Sequence, residues 1–114
     1  TSSCDAAKGK ESFYHGFVLG MTATLIGDYQ IRSNHESGYG RYDIAAFPKK
    51  EGESGMVIEC KTTATEDALG AEAQEALAQI EEKDYLAEFR ARGTTHVLRY
   101  GIAFCGKKVE VAMG

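Results

Sequence analysis

Gly55-Met56-Val57-Ile58-Glu59-Cys60-Lys61-Thr62 reads as a β-strand, and Asp43 upstream gives it chemical meaning. Val57 and Ile58 favour strand, and the polar run 49–55 in front reads as a loop. Side chains alternate along a strand, so Glu59 and Lys61 leave from one face, about 7 Å apart. The segment before the loop, Gly40-Arg41-Tyr42-Asp43-Ile44-Ala45-Ala46-Phe47-Pro48, reads as a second strand stopped by proline. Lys49-Lys50-Glu51-Gly52-Glu53-Ser54 is a polar hairpin tip. Folding the chain back about residue 51 sets Asp43 opposite Glu59, with side chains about 5 Å apart. Like charges so placed destabilise unless a cation lies between them. Two carboxylates beside an ammonium are the oxygen-rich set that magnesium-dependent phosphoryl transfer requires.

Working outward, Asp5 to Ile26 reads as a helix, because Tyr14, Phe17, Val18, Met21 and Leu25 recur at three- and four-residue spacing. Glu11 and His15 share a face of it, one turn apart. Tyr29–Asn34 reads as a strand, followed by the glycine-rich turn Glu36-Ser37-Gly38-Tyr39-Gly40. After the hairpin, Thr65-Glu66-Asp67 starts a helix running to about Ala91, with Gly70 as a weak point. Arg90 and Arg92 suit its negative end and Gly93 stops it. Leu69, Ala73, Ala76, Leu77, Ile80 and Phe89 form its buried stripe. Val97–Cys105 is a buried-strand run, and Val109-Glu110-Val111 alternates like an edge strand.

The spaced Asp43 and Glu59-Cys60-Lys61 resemble the D…E-x-K signature of the PD-(D/E)xK nuclease superfamily. The likeness is closer to one branch, the nuclease-like domain found C-terminal to predicted AAA-type ATPase domains in bacteria and archaea. It is carried by residues 11–16, 33–43 and 58–61, by Gln79-Ile80 with Lys83 and Tyr85, and by residues 100–104. The resemblance implies an α/β fold with a restriction-endonuclease-like core. Its element order is α-β-β-β-α-β with one further strand, a mixed central sheet flanked by helices. It also implies Mg²⁺ or Mn²⁺ held by Asp43, Glu59, Glu11 and the Cys60 backbone carbonyl, with Lys61 catalytic. Gln79 and Tyr85 would orient phosphate or Lys61, and Arg41 would contact nucleic acid. The implied partners are nucleic acid, DNA first, and an AAA-type ATPase domain in the same parent chain, with room for a homodimer.

With 114 residues, the chain is expected to form one domain, residues 1–114. It starts without methionine in a helix-like segment, and the expectation is a domain cut from a longer protein. No apolar run reaches the roughly 18 residues of a membrane span, and the polar first ten residues are not a signal peptide. Cys4, Cys60 and Cys105 lack CxxC spacing and suggest thiols in a reducing compartment, the cytoplasm, without disulfide or zinc. The net charge of −4 is unusual for a nucleic-acid binder. Residues 66–92 carry eight acids against three bases, an excess expected to turn away from a substrate, and no basic groove is visible.

Three other readings compete. Cys60 with His15 would make a nucleophilic pair, but no orienting group or oxyanion motif accompanies them. Gly38-Tyr39-Gly40-Arg41-Tyr42 partly resembles an RNA-binding RNP1 strand, yet Ser37 stands where a base is needed. Gly101–Lys107 has P-loop spacing, but Lys108 replaces the required Ser or Thr and a strand follows. A further reading keeps the nuclease fold but makes it a degenerate binding or regulatory module of the attached ATPase.

Overall fold

A computed structural model describes residues 7–36, 41–82 and 85–114, with side chains described for 16–34, 43–82 and 85–114. Helix α1 (Ala7–Leu25) leads into β1 (Tyr29–Glu36), β2 (Arg41–Pro48) and β3 (Gly55–Thr62). A 3₁₀ turn (Glu66–Ala68) precedes α2 (Leu69–Glu82) and α3 (Tyr85–Ala91), then β4 (Val97–Cys105) and β5 (Lys108–Met113) close the chain. The single helix expected over residues 65–91 is thus a 3₁₀ turn and two helices, flanking residues 83–84, which lie outside the described ones.

The strands lie in the order β1-β2-β3-β4-β5. β3 and β4 are parallel, as a connection through helices requires, and the other neighbours are antiparallel. The result is the mixed, helix-flanked sheet of a restriction-endonuclease-like α/β fold.

Alternation along the strands sorts the core into two layers. On one face Val18 of α1 packs with Ile44, Ile58, Cys60, Ile102 and Phe104. On the other, α2 and α3 cover Ala45, Phe47 and Val57 with Ile80 and Phe89, and Ala103 and Cys105 with Leu69 and Ala73. Phe47 and Phe89 stack with ring centroids 4.4 Å apart. The C-terminus of α3 closes as the sequence indicates: Gly93 takes φ 85°, its N–H donates to Arg90 O, and Thr94 N–H donates to Phe89 O. One expectation fails in this layer. Cys105 is disulfide-bonded, not a free thiol, which weakens the inference to a reducing compartment.

Candidate active site

The hairpin tip centred on residues 51–52, where Gly52 takes φ 88°, sets the β2–β3 register. Asp43 pairs directly with Glu59, and Arg41 with Lys61. Ala45 and Val57, the next pair on that face, lie in the cluster under α2 and α3, so Asp43, Glu59 and Lys61 project there too. All three are buried, at 2%, 0% and 6% exposure. Burial of charged groups at this level is costly unless opposite charge accompanies them.

Lys61 supplies one positive charge, and the sequence reading missed what holds it. Its Nζ lies 2.7 Å from Glu72 Oε1 and 3.1 Å from Glu75 Oε1, both on α2. These acids were expected to face away from the site; they face into it. The spacing Glu72, Glu75, Gln79 is a three-and-four stripe beside buried Ala73, Ala76 and Ile80, a signal that was legible. Small alanines let the helix approach the sheet closely enough for its acids to reach Lys61. Four carboxylates therefore surround one ammonium among the described side chains, leaving an excess of negative charge.

That donor set fits a hard divalent cation. Among the described residues no group of three His, Cys, Asp or Glu side chains could form a cage. Magnesium, however, is commonly held by one or two carboxylates, with water and substrate phosphate completing its octahedron. Asp43 and Glu59 are the pair placed to do this.

The remaining expected residues divide. Gln79 is half-buried on the same helix stripe, and its Oε1 is buried with no hydrogen-bond partner among the described residues. Tyr85 packs instead against the apolar cluster of Ala45, Phe47, Val57, Ile80 and Phe89. Glu11 lies in α1 and Arg41 opens β2, but their side chains fall outside the described ones, as do those of His15 and Lys83. The RNP1-like segment is also largely outside them. The P-loop-like run is β4 and its turn into β5, with no helix following.

Cys60 points to the opposite face, wholly buried among Ile44, Ile58 and Ile102. Burial pushes its thiol from 9.0 up to about 12, and the Glu59 and Asp43 carboxylates add to the shift. At pH 8 only about one molecule in ten thousand is then a thiolate, which removes Cys60 as a nucleophile. Because the folded value is the higher one, the stability contributed by the neutral thiol is whole below 9.0 and is lost as pH rises toward about 12. Native protein at pH 8 is expected to leave Cys60 unmodified by iodoacetamide, and urea to expose it; mass spectrometry of the alkylated peptide reads both.

A family model described as the PD-(D/E)XK nuclease superfamily matches residues 9–113. No curated protein and no solved structure matches the chain.

Proposed function

This chain belongs to the PD-(D/E)XK nuclease superfamily, and we propose that it hydrolyses phosphodiester bonds of nucleic acid, DNA first, at Asp43, Glu59 and Lys61. The observation that carries the reading is the direct pairing of Asp43 with Glu59, both buried, with Lys61 on the same face. Asp43 and Glu59, with the Cys60 carbonyl and Glu11, are the proposed holders of Mg²⁺ or Mn²⁺. When bound, the ion supplies a water of lowered pKa and offsets charge on the phosphoryl oxygens. Asp43 and Glu59 give that ion a fixed position against the sheet. Lys61 places an ammonium where negative charge develops on the phosphate, and burial makes that charge act at low dielectric. Glu72 and Glu75 hold the lysine chain extended toward α2, so little reorganisation is needed. Gln79, with an amide oxygen free to accept, is proposed to orient water or substrate, and Arg41 to contact a phosphate. Tyr85 is proposed to act by supporting the helix pair.

Metal loading tests the reading without relying on turnover. A cation that binds only the folded state stabilises it by about 2.7 kcal/mol at one hundred times its Kd. Thermal unfolding of the intact protein is expected to shift upward in Mn²⁺, and the shift to vanish in Asp43→Asn and Glu59→Gln. An equal shift in both variants would place the cation elsewhere and remove the basis for hydrolysis.

A second reading rests on the occupied lysine. With Nζ held by Glu72 and Glu75, the fold could serve as a binding or regulatory module of an AAA-type ATPase domain in the same parent chain. It predicts no Glu59-dependent heat of manganese binding in calorimetry.

A further inference from the structure

The sequence shows no basic groove, yet the fold gathers one. A cavity of about 310 Å³ opens between the end of α3 and the start of β4, lined by Arg90, Thr94, Thr95, His96 and Arg99 with two aliphatic side chains. Among the described residues no Asp or Glu lines it. A second cavity, of about 270 Å³, shares Thr94 with the first and adds Lys49, Lys50 and Arg92, against Glu51 and Glu53 of the hairpin tip. The Schellman turn at Gly93 fixes Thr94 at the junction of the two.

Structural roles account for part of this charge. Arg99 Nη1 pairs with Glu81, and Arg92 bonds Glu88 and Gln30. They leave two features over. The Arg90 side chain has no hydrogen bond or ion pair among the described residues, although it is exposed and available. Arg99 Nε–H is buried with no acceptor among them, a donor whose burial costs about 1–3 kcal/mol if nothing arrives to accept it. The carbonyl end of α3 repels anions, and Arg90 in its last turn offsets that field.

The position relative to the acids is informative. Arg99 pairs with Val57 and Gly101 with Glu59, so the cavity floor lies one same-face step, about 7 Å, from the Glu59 row. A nucleic-acid strand advances about 3.4 Å per nucleotide, so a phosphate here would lie about two nucleotides from the acids.

We propose that the Arg90–Arg99 cavity binds a backbone phosphate of the nucleic-acid strand, holding it in register about two nucleotides from the Asp43–Glu59 pair. The proposal rests on the nuclease reading for its ligand, but not on hydrolysis for its test. Arg90 contacts phosphate as a charge and Arg99 through its unsatisfied N–H.

The experiment is anisotropy of a labelled oligonucleotide with the intact protein in EDTA, across a salt series, for wild type, Arg90→Glu and Asp43→Asn. Arg90→Glu is expected to weaken binding about tenfold and to lower the salt slope by about one counterion. Asp43→Asn is expected to bind as wild type and to lose cleavage when metal is restored. If Asp43→Asn still cleaves, the hydrolytic reading falls while the Arg90 comparison judges the cavity unaided. Unchanged affinity and slope in Arg90→Glu, or no salt-dependent oligonucleotide binding by wild type, overturns the proposal. Calorimetry with inorganic phosphate at matched ionic strength is the second arm. Phosphate heat lost in Arg90→Glu without any oligonucleotide effect assigns the cavity to the free ion and overturns the strand assignment.

Discussion

Lys61→Ala in the intact protein is expected to lower kcat for phosphodiester cleavage by at least about 10²–10³, the cost of deleting one preorganised electrostatic donor. The side chain is 6% exposed and shares a face with Glu59, so bulk water cannot replace the missing ammonium. Asp43→Ala is expected to abolish cleavage for a different reason, and manganese separates the two. Lys61→Ala should keep the Mn²⁺-dependent rise in unfolding temperature, because the carboxylate pair survives; Asp43→Ala should lose it. Folding should withstand both changes. Glu72 and Glu75, the partners Lys61 leaves behind, are 30% and 52% exposed and remain solvated. Lys61→Arg is not expected to rescue, since a planar fork cannot sit as a point charge between those two acids. Wild-type turnover by Lys61→Ala would dismiss the lysine from the chemistry.

Much of this site was legible because it depends on local order. A polar tip with a glycine at 52, flanked by two strands, admits few registers, and the symmetric one puts Asp43 opposite Glu59, as observed. Likewise the strand runs 55–62 and 97–105 keep the bounds that their apolar residues and punctuation suggest. What failed depends on contacts between distant segments. The rotation of α2 about its axis, which aims Glu72 and Glu75 at Lys61, follows from how the helix seats on β4. Helical spacing shows that the two acids share a face with Gln79, but not which strand residue that face meets. Similarly, Lys49 and Lys50 are remote in sequence from Arg90–Arg99, and only pairing of β3 with β4 brings them to one end of the sheet. Gly55 N–H donating to His96 O marks that junction. The break around residues 83–84 had no glycine or proline to announce it.

The seat of α2 on β4 is set by a missing side chain, and Gly101→Ala is expected to show it. A Cβ on Gly101 would stand 2.3 Å from Ala73 O and 2.5 Å from Leu77 N, both backbone atoms of α2. No rotamer change relieves a clash with backbone, so the helix itself must move. Overpacking of this kind costs about 1–3 kcal/mol and occasionally more. In a domain of about one hundred residues each kcal/mol lowers Tm by about 4–8 °C. Gly70→Ala supplies the opposite sign within the same helix. Nothing lies within 4 Å of where a Cβ on Gly70 would stand, and alanine there should stabilise by about 0.5–1 kcal/mol. Gly101 also pairs with Glu59 across the β3–β4 ladder, so the displaced helix is the one carrying Glu72 and Glu75 over the site. Gly101→Ala should therefore loosen Lys61 as well as lower Tm, and cleavage measured well below the new Tm should fall with it. A Gly101→Ala protein as stable as wild type would mean that α2 does not rest on this glycine, and the close seating invoked to aim Glu72 and Glu75 at Lys61 would lose its cause.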